Sequence, residues 1–281
     1  MGVNLKYTNS LPEGLNVATS RSSDRYNIRV VDRAVSVLNL LADGKSRTMT
    51  ELSKELEINS STTFRLLATL RYHNLVQLDE ATGNYRLGLA CLELSRAYHT
   101  GDEVRQAALP VMRTLRDDTM ETVHLGVLDG LEIVYLEKLE GLHAIGLMSS
   151  RIGRRAPAYC TGLGKALLAF SNPNYVQANS RKLELEKFTD STITNEKELL
   201  DHLAIVHQRG YSLDLGEHEQ EVRCVAAPIF DQYGKSVAAI SVSGPSGRID
   251  PIEYNTELIS KTLNAAEDIS EKLGYRKEFK Q

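Results

Sequence analysis

The sequence predicts an α+β protein in which an N-terminal winged helix-turn-helix is joined by a linker helix to a larger sensor domain. Three helix-period segments and one hairpin follow one another within residues 25–88, and beyond residue 101 antiparallel hairpins mix with helices. A chain of 281 residues is long enough to bury two cores.

Residues 1–24 are rich in Asn, Ser, Thr and Gly and show little periodicity, which reads as a flexible leader. Met1–Ser20 has no apolar core after a basic start, so no secretory signal is expected there. Ile28, Val31, Val35, Leu38 and Leu41 recur at spacings of three and four, the stripe of an amphipathic helix that Asp43-Gly44 ends. A second short helix follows, with Thr50 as its expected cap and Leu52 and Leu56 facing inward. After the turn Ile58-Asn59-Ser60, a third helix is expected from Ser60 to Tyr72. It turns Thr63, Leu66, Leu67 and Leu70 inward and Ser61, Thr62, Arg65 and Thr69 outward.

The period then falls to two. Val76 and Leu78, then Tyr85 and Leu87, flank the turn-forming Asp79–Asn84 and read as a β-hairpin, the wing. Residues 89–101 read as the linker helix and residues 102–281 as the sensor domain. There a helix over Asp102–Met120 is expected to bend or break at Pro110. Strands are expected at Val123–Leu128, Glu132–Glu137, Ala144–Ser149, Ser212–Leu215, Val222–Ile229 and Ser236–Ser243. Helices are expected at Gly162–Phe170, Asn195–Gln208 and Pro251–Leu273.

Composition narrows the function. No apolar run is long enough to span a bilayer, so no membrane partner is expected. Three scattered cysteines make neither a disulfide framework nor a zinc site, which points to a reducing cytoplasm and to no metal or other cofactor. The net charge of -4 gives no bulk argument for nucleic acid, although Lys and Arg outnumber Asp and Glu by 11 to 9 over residues 21–100 and are outnumbered 21 to 27 over 101–281.

A recognition helix needs short hydroxyls and a long guanidinium at its N-terminal turn, where it meets base edges and phosphates in the major groove. Ser60, Ser61, Thr62, Thr63 and Arg65 meet that demand, and Arg47, Arg71 and Arg86 are placed to reach phosphates. A Ser/Thr-rich start is also simply a good cap; the turn, the third helix and the wing together favour DNA. Arg29 and Arg33 read as solvated charges.

The segment Met49–Val76, MTELSKELEINSSTTFRLLATLRYHNLV, resembles the DNA-binding motif of the IclR family of bacterial transcriptional regulators, with Ser61, Thr62, Arg65, Leu66, Leu67 and Leu70 at matching places. Gly153–Ala169, Gly210–Asp231 and Ile240–Gly244 resemble its sensor domain, and the likeness runs from about Asn27 to the C-terminus. Asn59 stands where Pro is common, and Tyr159, where His is frequent, bears on pocket shape. The resemblance implies a GAF-like effector-binding domain, dimers through the DNA-binding domains, often tetramers, and a small organic-acid or aromatic effector. The partners are then double-stranded DNA with a roughly palindromic operator and a further copy of the chain.

Gly162-Leu163-Gly164 opens a helix, where free amides and the helix dipole favour an anion. The resemblance makes Gly162 and Leu163 the holders of a carboxylate; a tight loop packed through Gly164 is the plainer alternative. It also places Asp214, Cys224, Ser241 and Ser243 at ligand positions. Ser241 and Ser243 share one face of a strand, for ligand contacts or internal hydrogen bonds. Asp214 is expected to accept a hydrogen bond from a ligand hydroxyl or a protonated acid, and Ile145, Met148 and Ala156 to form an apolar wall. His143, His202, His207 and His218 read as solvated or core residues, and Glu217-His218-Glu219 as a charged turn.

Two other functions fit less well. A thiol enzyme with an accessory DNA-binding domain needs a Cys/His pair drawn from His124, Cys160 and Cys224, and no close spacing supports one. A winged helix that binds protein does not explain the exposed Ser/Thr/Arg face.

Overall fold

The computed structural model describes residues 28–100, 103–142, 148–180 and 185–276. The expected leader, Ile145, His143 and most of the Ala144–Ser149 strand lie outside them. The chain divides into two compact units between Gly101 and Asp102.

The first unit begins with α1 (Arg29–Leu41) and β1 (Arg47–Thr48). Helix α2 (Met49–Glu55) is capped by Thr48, not Thr50: the Thr48 hydroxyl accepts from the Glu51 amide while the Glu51 carboxylate accepts from the Thr48 amide. Helix α3 (Ser60–Tyr72) is capped by Asn59, whose side chain accepts from the Thr62 amide at 2.9 Å. Strands β2 (Val76–Asp79) and β3 (Asn84–Leu87) form the wing, with β1 added beyond β3. The core joins Val37, Leu41, Leu52, Leu67, Leu70, Val76 and Tyr85. Helix α4 (Leu89–Thr100) follows.

The stripe expected to bury α1 does so only at its C-terminal end. Ile28, Val31 and Val35 are 67%, 56% and 47% exposed, because the small core takes up Val37 and Leu41, with Ala34, Leu38 and Leu40 at its edge. Leu89, Leu92 and Leu94 of α4 are exposed as well.

In the second unit, α5 (Glu103–Thr119) leads into β4 (Thr122–Asp129), β5 (Glu132–Leu139) and β6 (Arg155–Pro157). Then come α6 (Gly162–Ala169), α7 (Pro173–Ser180), α8 (Glu196–Arg209), β7 (Ser212–Asp214), β8 (Val222–Phe230), β9 (Ser236–Pro245), α9 (Ser246–Ile249) and α10 (Thr256–Lys272). The antiparallel sheet has the order β6-β5-β4-β9-β8-β7. Alternation divides its side chains between two cores. Val225, Ala227, Ile240 and Val242 pack with Met112, Leu115, Ala266 and Ile269 of α5 and α10. Cys224, Ala226 and Ala239 pack with Leu163, Ala166, Leu167 and Leu199 of α6 and α8.

Three expectations need correction here. Pro110 does not interrupt α5, where it lies on the exposed side of a continuous helix. The helix expected from Pro251 starts at Thr256, capped by Asn255, after a separate single turn at Ile252–Tyr254. Strand β6, only three residues long, was not expected.

Candidate functional site

The outer face of α3 exposes Ser60, Ser61, Phe64, Arg65 and Thr69, with Thr62 half-buried. Phe64, 60% exposed on a helix that buries Leu66, Leu67 and Leu70, was missed by the sequence reading. Its position beside Arg65 and one turn after Ser60 and Ser61 is the signal that would have found it. The Ser61 hydroxyl donates to the Asn59 side chain at 2.8 Å, which orients the start of the helix.

Two expected DNA contacts are placed elsewhere. Thr63 is buried, its hydroxyl donating back to the Asn59 carbonyl at 3.2 Å, so it belongs to the core. Arg47 is taken up inside the unit: its guanidinium donates to both Asp43 carboxylate oxygens, at 2.8 and 2.7 Å, and to the Leu40 carbonyl at 2.9 Å. It also pairs with Glu55 at 3.4 Å. Arg71 pairs with Glu80 of the wing turn at 3.1 Å, and Arg86 donates to Gln77 across the wing at 3.4 Å; both are exposed.

The pocket of the second unit lies between the start of α6 and the sheet. It is half open, and the space inside it together with its open mouth is about 440 Å³. Thr161 caps α6 by accepting from the Gly164 amide at 3.3 Å, and as the first helical residues Gly162 and Leu163 have amides with no carbonyl one turn back. Both residues line the pocket. A Cβ on Gly162 would sit 2.6 Å from the Cys224 sulfur, and one on Gly164 only 2.2 Å from the Ala158 carbonyl oxygen. Both glycines are therefore required for close packing, and the first brings the helix start onto the sheet.

Strand register supplies the floor. Asp214 pairs with Cys224 and Cys224 with Ser243, while Ser241 pairs with His124. Asp214, Cys224, Ser241, Ser243 and Met148 all line the pocket. Ala156 does not: it is buried on β6 opposite Ile133, in the core beneath α6. Tyr159 is likewise not in the wall, since its hydroxyl donates to the Glu186 carbonyl at 2.8 Å.

The sequence reading missed His124, Tyr135, Ser150, Thr161, Glu219 and Val222 of the lining, and His218, expected to be a solvated or core residue, lines the pocket as well. His124 lies on the same alternating face of β4 as Thr122, opposite to Val123 and Leu125, a signal that needs the β4–β9 register to be read. Its Nε2 meets the Ser150 hydroxyl at 2.9 Å and its Nδ1 the Ser243 hydroxyl at 3.4 Å. Glu219 accepts from the amide and hydroxyl of Ser149, at 3.1 and 2.6 Å, and so holds the residue before Ser150.

Burial disfavours the charged form of each of these groups. It pushes His124 down to about 3, helped by the Lys138 ammonium, and Cys224 up to about 12, helped by the Asp214 charge. Asp214 is also pushed up by burial, against the pull of Lys165 and of the Glu217 and Gly216 amides that donate to it. A thiol held protonated beside serine hydroxyls is a poor nucleophile, and the His124 ring hydrogen-bonds with the hydroxyls of Ser150 and Ser243. Among the described residues no group of three His, Cys, Asp or Glu is arranged to hold a metal ion, and no helix is long and apolar enough to cross a membrane.

The profile of the IclR helix-turn-helix domain matches residues 30–80, and that of the bacterial transcriptional regulator IclR C-terminal domain matches residues 96–271. The HTH-type transcriptional regulator BhcR of Paracoccus denitrificans is 33% identical over 257 residues, covering 92% of this chain and 91% of that protein. The crystal structure of the Thermotoga maritima IclR is similar with a TM-score of 0.74 at 30% identity, covering 89% of this chain and 100% of that one. An IclR homolog from Microbacterium hydrocarbonoxydans, complexed with 4-hydroxybenzoate, gives a TM-score of 0.76 at 25% identity, covering 87% and 98%.

Proposed function

The chain belongs to the IclR family of bacterial transcriptional regulators and carries that family's DNA-binding and effector-binding domains, and from that premise we propose that a small carboxylate bound in its GAF-like domain sets its affinity for DNA. The observation that carries the reading is the start of α6, where the first two helical residues, Gly162 and Leu163, line the pocket at the end of the helix whose dipole favours negative charge. Asp214 faces the same space and takes a hydroxyl or the proton of an acid.

On the DNA side, Ser60, Ser61, Thr62 and Arg65 meet base edges and phosphates, and the exposed Phe64 ring suits a thymine methyl. Arg71 and Arg86 reach the backbone or the neighbouring minor groove. The exposed Ile28, Val31 and Val35 of α1 and Leu89, Leu92 and Leu94 of α4 support a dimer formed through the DNA-binding unit. A two-fold dimer places its recognition helices about 34 Å apart on a roughly palindromic operator. A homotetramer through the effector domains and a cytoplasmic location complete the reading, by likeness to the family. Catalysis forms no part of it.

The test is to map the genomic sites that the protein occupies. Discrete sites, and an occupancy that changes when the metabolite of the adjoining genes is added, are expected. Even occupancy along the genome would overturn the reading.

A further inference from the structure

The turn of the wing carries two neighbouring carboxylates, and the fold uses them differently. Asp79 shapes the turn: its carboxylate accepts from the amides of Ala81 and Thr82, at 2.9 and 3.4 Å, and its carbonyl accepts from the Gly83 amide at 2.8 Å. The bond from Ala81 above all holds the Asp79 carboxyl below its ordinary range. The Glu80 carboxylate makes no such bond to the turn. Its side chain, 76% exposed, reaches back to α3 and pairs with the Arg71 guanidinium at 3.1 Å. An exposed pair of this kind adds little to folding stability.

Arg71 stands in the last turn of α3, seven residues after Phe64 and three after Ala68, and so continues their exposed row. The other guanidiniums set its charge in context. Arg47 is taken up by Asp43 and Glu55, whereas Arg65 is exposed and forms no ion pair among the described residues. Arg71 lies between these cases: its side chain is 44% exposed, open enough to reach a phosphate, yet it already has an anionic partner.

A protein cation gains affinity for DNA by displacing the counterions condensed on phosphate. A guanidinium neutralised by its own carboxylate must exchange that partner first, and the freed carboxylate is then left beside the phosphates. Glu80 thereby removes about one phosphate contact per protomer from the charge count. The loss is blind to sequence, because a phosphate contact reads no base. It also serves release, since an effector coupling spans only about 5–150-fold and DNA affinity has to stay within that reach.

Resting on the placement of Arg71 at the DNA backbone made above, we propose that Glu80 is a positioning residue that acts through Arg71 as a brake on DNA affinity, lowering it by the same factor on every sequence.

Anisotropy titrations of the full-length protein test this, on a random-sequence duplex and on a duplex carrying a mapped genomic site, between about 50 and 200 mM salt. Glu80→Gln should tighten both complexes by ~3–10-fold per protomer and steepen the logarithmic salt slope by about 0.9 per protomer, with the thermal unfolding midpoint in place. Arg71→Ala should weaken both complexes, and Glu80→Gln added to Arg71→Ala should leave the slope unchanged. Parent-like affinity and slope in Glu80→Gln, with Arg71→Ala weakened, overturn the brake and leave Arg71 as a DNA contact. A slope that steepens equally without Arg71 overturns the action through Arg71. Tightening confined to the genomic site overturns the blindness to sequence. Arg71→Ala that binds both duplexes as the parent does removes Arg71 from the DNA and overturns the proposal with it.

Discussion

The Lys165 side chain is wholly buried and its ammonium is ion-paired with the Glu217 carboxylate. Lys165 lies one turn into α6, and Glu217 donates its own amide to Asp214 at 2.8 Å. The helix whose first residues line the pocket is thereby fixed to the turn that positions Asp214. Burial pushes Glu217 upward, and the Lys165 ammonium pulls against that shift.

Removing one partner leaves the other uncompensated, and the second oxygen of Glu217 is already buried without a partner. Lys165→Met should therefore cost about 3–5 kcal/mol, read from urea unfolding, while Lys165→Met with Glu217→Leu should recover most of the loss. A single variant as stable as the parent would show that the pair contributes nothing.

Gly162→Ala places a methyl against the Cys224 sulfur and should cost about 1–3 kcal/mol, with effector binding lost as the helix start lifts from the sheet. Cys224→Ala in the same chain removes the obstructing atom and should restore stability. Simple additivity of the two changes in a double-mutant cycle would refute the close contact.

His124 fixes an acid limb to the stability profile. Its pKa is near 6.5 when unfolded and about 3 when folded, so its contribution is complete above 6.5 and disappears as pH falls toward 3. His202, lowered by burial to about 4, acts in the same direction. Unfolding free energy should fall by about 1.4 kcal/mol per pH unit for each such histidine across that window. His124→Asn should flatten the curve relative to the parent, a comparison in which the other titrating groups cancel. Parallel curves would contradict the assignment.

Two arginines in the first unit separate contact from structure. Arg65→Ala should weaken operator binding by about 1–3 kcal/mol and leave the unfolding midpoint in place. Arg47→Ala should instead lower the midpoint, because Asp43, Glu55 and the Leu40 carbonyl lose their shared partner. Anisotropy and thermal melts on both variants decide it, and an Arg47 variant that is stable yet loses DNA would reverse the correction made for that residue.

Much of the architecture was readable where one periodicity ran for long enough. Helix α3 has the expected bounds and buries Thr63, Leu66, Leu67 and Leu70 as its spacing requires. Strands β4, β5, β8 and β9 followed from alternation around Asp129-Gly130 and Asp231–Lys235. Periodicity does not say what an apolar stripe faces, so it assigned Ile28, Val31 and Val35 to a core that never reaches them. It says nothing of a three-residue strand ending in Pro157. In the pocket, Asp214, Cys224, Ser241 and Ser243 were named in advance through family resemblance. His124 and Ser150 come together from positions 26 residues apart and could be joined only by the fold.

The central claim is that one ligand in the second unit changes how the first unit holds DNA. Its most direct test is an anisotropy titration of a duplex carrying a mapped genomic site, with and without the acid that saturates the pocket. The account predicts a dissociation constant that shifts by about 5–150-fold on adding the acid, the usual size of such couplings. Identical curves in the two conditions, from protein shown by calorimetry to be saturated, would contradict it.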